Sequence, residues 1–141
     1  MAQKLNNIFV LRKDDIQSAL KAQGRQYFIG DLKRPQQLEY MNLGDLEVGS
    51  TLYQQVASDT PHYHSKSSEI IYVLRGCYKI LIISENIEYS ISEGDFVVLP
   101  PNTAYVGKAA VPNTQTFFIK AGGNDKITVA SNEQIQSWVA D

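Results

Sequence analysis

The amino-acid sequence predicts an all-β fold, a sandwich or barrel of short strands with one short helix near each end. Two observations carry the prediction. From residue 27 to residue 120, short apolar or alternating runs are separated by Gly, Pro, Asn, Asp and Ser, the punctuation of a meander of β-strands. Helical spacing is confined to residues 14–23 and to the stretch after Ser131.

Taken in order, Ile16, Ala19 and Leu20 share one face of a helix over residues 14–23, with two aspartates at its start and Gly24 after its end. Strands are predicted at residues 27–29, 37–43, 51–57, 69–74, 78–84, 87–91, 96–99, 104–107 and 115–120. Ile87, Tyr89 and Ile91 alternate with Glu88 and Ser90, which predicts a strand with one wet face. Ser84-Glu85-Asn86 is short enough to join that strand to its predecessor as a hairpin. Ser131 followed by Gln134 reads as a capping box, and Ile135, Trp138 and Val139 form an apolar stripe behind it. A helix that brief is marginal in water, so it must dock on the sheet or on a second subunit.

Composition bounds the function classes. The chain has 141 residues, the size of a single domain, and its 43% hydrophobic and 20% charged content supports a packed core rather than disorder. Such a domain is stable without a structural metal, so a metal here would be functional. Thirteen basic against fifteen acidic residues, a net charge of −2 with no like-charge run, exclude an electrostatic grip on nucleic acid or an anionic membrane. The lone Cys77 cannot form an internal disulfide and is read as a small buried hydrophobe. Residues 1–10 lack a signal-peptide pattern and no apolar run reaches about 18 residues, so a cytoplasmic location is expected.

The two histidines of the chain are His62 and His64, in Thr60-Pro61-His62-Tyr63-His64. On an extended segment they point to the same side and can converge on one ion. Glu69 opens the run Ile70-Ile71-Tyr72-Val73-Leu74, an awkward place for a carboxylate unless it binds a cation. Alternation puts Ile71 and Val73 on its side and Tyr72 opposite. Two imidazoles and one carboxylate suit Fe, Mn, Ni, Co or Zn rather than calcium.

The run His62-x-His64, four residues, Glu69, six residues, Gly76 resembles the first signature motif of the cupin superfamily of small germin-like barrels. Residues 94–105 resemble the second motif, with Asn102 in place of its second glycine, a residue that tolerates a left-handed turn. Tyr105 stands where that family supplies a third histidine; Val56 replaces the opening glycine of the first motif and Ala109 the closing asparagine of the second. The resemblance implies an antiparallel jelly-roll β-barrel over residues 1–141, with its motif core at 56–109, a ligand pocket inside and assembly as a homodimer. It also implies a divalent transition metal on His62, His64 and Glu69.

Tyr105 either yields a phenolate ligand or, the preferred role, stands beside the metal as a proton donor. The expected function is that of a metal-dependent enzyme acting on a polar small molecule such as a sugar or keto acid, isomerase-like or oxygenase-like, with Tyr105 and Glu69 catalytic. A non-catalytic sugar or small-molecule binding module is the competing reading. Tyr53 and Gln55 are candidate pocket residues.

Overall fold

The computed structural model describes residues 3–5, 8–122 and 125–141. In chain order its elements are β1 (Gln3–Leu5), β2 (Ile8–Val10), α1 (Lys13–Ala22), β3 (Arg25–Ile29), β4 (Leu46–Tyr53), β5 (Ala57–Ser58), β6 (His62–His64), β7 (Ser68–Arg75), β8 (Cys77–Ile82), β9 (Ile87–Ser92), β10 (Phe96–Leu99), β11 (Tyr105–Ala109), β12 (Thr114–Ala121), β13 (Lys126–Thr128) and α2 (Glu133–Ala140). β1 and β2 pair by themselves; of the two large sheets, one runs β10-β7-β12-β4-β3 and the other β13-β6-β11-β8-β9, with β5 beside β11. All pairings within the two sheets are antiparallel, and the chain crosses repeatedly from one sheet to the other, as a jelly roll does.

Inward-facing side chains of both sheets meet in one core, including Ile71, Val73 and Phe118 from the first sheet and Tyr78, Ile80 and Ile91 from the second. Ile80 and Val73 are fully buried, each contributing about 1.5–3 kcal/mol relative to an exposed side chain. α1 turns Ala19 and Leu20 inward as its spacing predicts. α2 seats Ile135 against Leu81 and Val106, so the terminal helix docks on the outside of the second sheet. Its cap is Asn132 rather than Ser131, because the Asn132 side chain accepts from the Ile135 N–H.

Four other expectations need correction. Residues 37–43 form no strand. The free edge of β3 is instead satisfied by side chains and a single bridge: the Gln36 amide accepts from Tyr27 N (2.9 Å) and donates to Tyr27 O (2.7 Å), and Ile29 bridges to Met41. The strand expected at 51–57 starts at Leu46 and stops at Tyr53; Gly49 continues it because the Phe118 ring fills the space where a Cβ would stand. β9 buries Ile91, but Ile87 and Tyr89 are 42% and 49% exposed, since an edge strand with one neighbour lacks cover on its inner face. Cys77, at the start of β8, is half-buried rather than buried.

Candidate metal centre

β6 lies between β13 and β11, and its two-residue period turns His62 and His64 inward, with Tyr63 on the other side. The pairing of His62 with Tyr105 across β6 and β11 brings the two rings to 4.6 Å between centroids. The facing sheet supplies Glu69 from β7, on the same face as the buried Ile71 and Val73. Asn102 takes the left-handed conformation (φ 63°) and its N–H donates to the His64 carbonyl at 2.7 Å, tying the turn before β11 to the histidine strand.

One ligand atom from each of His62, His64 and Glu69 falls within 4.8 Å of the others. The protonation of the rings follows from their partners. His62 Nδ1 lies 2.7 Å from the Thr60 carbonyl and His64 Nδ1 lies 3.1 Å from an Asp125 carboxylate oxygen, and both partners can only accept. Each Nδ1 therefore carries a hydrogen, so a neutral ring presents its Nε2 lone pair. Those lone pairs face Glu69 Oε1, at 3.8 Å from His62 and 3.3 Å from His64. His64 Nε2 is buried with no hydrogen-bond partner. Two imidazole nitrogens and a carboxylate oxygen held this close need positive charge between them, and a divalent cation supplies it, as a proton does in the metal-free site. The residues present thus fit a transition metal.

The Tyr105 hydroxyl donates to Glu69 Oε1 at 2.5 Å. Burial and the adjacent Glu69 charge hold the phenol well above its ordinary pKa, so it stays protonated. Burial alone would raise the Glu69 carboxyl, but hydrogen bonds from His62 and His64, made when the facing ring nitrogen is protonated, and from Tyr105 more than reverse this and keep it below the usual range. All four side chains line a cavity of about 600 Å³, a volume suited to a small molecule. Tyr53 lines it too; Gln55 lies on the exposed segment after β4 and does not.

The sequence profile described as Cupin matches residues 35–140. The chain belongs to the cupin family. Among solved structures similar to it are KdgF from Halomonas sp. (22% identity, TM-score 0.56, covering 72% of this chain and 79% of that one). An uncharacterized conserved protein with a double-stranded beta-helix domain from Klebsiella pneumoniae is similar as well (17% identity, TM-score 0.54, 62% and 76% covered). A third is Streptomyces PAC13 with uridine (15% identity, TM-score 0.53, 65% and 74% covered). No curated protein matches the sequence.

Two features of this cupin site were not read from the sequence. Asp125, just before β13, accepts from His64 Nδ1, from the Ser67 hydroxyl at 2.8 Å, and from the N–H groups of Lys66 and Ser67. It sits there because β13 pairs with β6, setting Lys126 opposite His64. The second feature is Asp59, whose Oδ2 accepts from the hydroxyls of Tyr53 (2.8 Å) and Tyr78. Gly107 is required for this, because a Cβ there would collide with the Tyr78 hydroxyl.

Proposed function

We propose that this cupin is a metal-dependent enzyme acting on a polar small molecule, a sugar or keto acid, by proton transfer of the isomerase or epimerase kind. The observation that carries the reading is the convergence of two imidazole nitrogens and one carboxylate oxygen, with His64 Nε2 buried and without a hydrogen-bond partner, on the wall of a cavity. His62, His64 and Glu69 would hold the divalent transition metal, which when bound would polarise a substrate carbonyl or hydroxyl as a Lewis acid. Three protein ligands resemble an open catalytic site more than a closed structural one. Tyr105, kept neutral by burial and by Glu69, is the proton donor at the substrate oxygen. The histidine side chains are themselves largely covered, at 6% and 5% exposure.

The protein is proposed to work as a homodimer. Tyr72, Leu74, Phe96 and Val98 are exposed on the outer face of the first sheet, with Phe96 directly opposite Tyr72, and this apolar patch suits a second copy. The test of function is metal analysis of the purified protein followed by a turnover screen on sugars and keto acids. A stoichiometric metal, together with turnover that Tyr105→Phe abolishes while metal stays bound, supports the enzyme. Metal-free protein that still captures a sugar without converting it would make it a binding module instead.

A further inference from the structure

The cavity has a second polar end. Along β4 the inward positions are Glu47, Gly49, Thr51 and Tyr53, and Arg25 on β3 stands opposite Thr51. Glu69 stands opposite Lys120, which stands opposite Glu47. The Arg25 row is therefore four residues along the sheet from the Glu69 row, a backbone separation of about 13 Å. At this second end Arg25 Nε donates to Thr51 Oγ1 (3.0 Å), Nη2 donates to Asp59 Oδ1 (3.4 Å), and the guanidinium lies 5.7 Å from the centre of the Phe118 ring. Nη1 has no hydrogen bond or ion pair among the described residues, and the side chain is 42% exposed while lining the cavity.

The surroundings leave donors, not acceptors, facing that space. Asp59 is engaged by three donors, Tyr53, Tyr78 and Arg25. Both tyrosine hydrogens are thereby committed to Asp59, and the Thr51 hydroxyl, accepting from Arg25, keeps its own hydrogen to give. Near the other end Lys120 is paired with Glu47 at 3.1 Å. Lys33, Arg34 and Lys126 also line the cavity, and Lys33 pairs with Asp31 at 3.5 Å. Unpaired guanidinium donors beside a hydroxyl donor form a fork for a planar anion.

We infer that the cavity binds an oxygen-rich carboxylic acid, a hydroxy or keto acid, whose carboxylate is gripped by Arg25 and Thr51 and whose far oxygens reach His62, His64 and Glu69. The far contact rests on the proposed function above; the Arg25 grip does not. The experiment is calorimetric titration of chelator-treated, metal-free protein with D-gluconate, with its uncharged counterpart D-sorbitol, and with inorganic phosphate. Gluconate is expected to bind at least tenfold more tightly than sorbitol, Arg25→Gln to remove that advantage, and Arg25→Lys to weaken it, since an ammonium cannot make the fork. Should the glutamine variant not fold, the lysine variant carries the test. Equal affinity for sorbitol, no gluconate binding, or gluconate affinity unchanged in both variants would overturn the inference; phosphate displacing gluconate at lower concentration overturns the carboxylate assignment. Parallel titration with Co²⁺ separates the two readings. Arg25-dependent gluconate binding without Co²⁺ binding defeats the metal enzyme alone, and Co²⁺ binding without gluconate selectivity defeats this inference alone.

Discussion

The two ends of the cavity are built from the same parts with opposite outcomes. At each, a carboxylate accepts from a buried tyrosine: Glu69 from Tyr105, Asp59 from Tyr53 and Tyr78. Asp59 gains a guanidinium as well, so the carboxylate at that end has its donors without any guest. Glu69 gains two imidazoles that, when neutral, turn lone pairs toward it, because Thr60 and Asp125 hold hydrogens on the other nitrogens. The contrast teaches that burial of a charge is not itself a sign of function. What marks the Glu69 end is an electrostatic deficit, neutral imidazole nitrogens facing a carboxylate oxygen, which the fold maintains through two hydrogen bonds to the far side of the rings.

The largest expected effects strike that deficit. His64→Ala should eliminate Co²⁺ or Zn²⁺ binding in calorimetry. Glu69→Gln should eliminate it too, yet raise the melting temperature of metal-free protein, because an amide N–H can donate to the unpartnered His64 Nε2. A Glu69→Gln protein less stable than the metal-free wild type would show that the lone pairs are not in conflict.

Asp125→Asn comes next. It keeps the shape but weakens the acceptor that orients His64, so metal affinity should fall by about 10–100-fold without vanishing. It should also change the response to acid. Burial would raise the Asp125 carboxyl, but the Ser67 hydroxyl and the Lys66 and Ser67 N–H groups, with His64, hold it below the usual range. A depressed carboxylate stabilises the fold above its unfolded pKa, and that contribution is lost as pH falls below it. Urea midpoints measured from pH 7 down to pH 3 should therefore fall less steeply for Asp125→Asn than for the wild type.

How legible each end was follows from chain distance. His62 and His64 share a three-residue strand, so alternation aimed both at one side, and Glu69, which opens the next strand, was legible from the cost of burying its charge and from the cupin motif. The longer strands of the jelly roll were legible from local alternation and turn residues, whereas the two- and three-residue strands β1, β2, β5, β6 and β13 were not among those expected. Asp125 lies 61 residues from His64, and Asp59 reaches Tyr78 over 19 residues, so pairing rather than pattern places them. β13, which positions Asp125, is three exposed residues long and carries no alternation to read. Residues 37–43 misled for a complementary reason: their apolar content suited a strand, but the Gln36 side chain took the hydrogen bonds a strand would have made. Tyr105 was legible as a departure from the cupin motif, and its donation to Glu69 emerged from the register of β11 against β6.

The Asp59 end should respond in stability and not in metal binding. Asp59→Ala strips the acceptor from two buried tyrosine hydroxyls, at about 1–3 kcal/mol for each group left unpaired. Chemical denaturation should register that loss, while Co²⁺ affinity stays within about threefold of the wild type, well under one tenfold step of 1.4 kcal/mol. A large loss of Co²⁺ affinity would mean that the two ends are coupled through the cavity and that the contrast between them is drawn too sharply.

The smallest effect lies outside the cavity and calibrates the others. Asn132→Ala removes the side-chain oxygen that accepts from Ile135 N at 2.9 Å, which should cost about 1 kcal/mol of stability. α2 keeps its other anchors: Ile135 packed on Leu81 and Val106, and the Lys108 ammonium 4.4 Å over the Trp138 ring while donating to the Trp138 carbonyl. Because Lys108 and Val106 belong to β11, the strand that also carries Tyr105, fraying of α2 has a physical route to the site. Unchanged metal affinity in Asn132→Ala alongside the expected stability loss would show that β11 is held by its partners in the sheet rather than by the helix on its back.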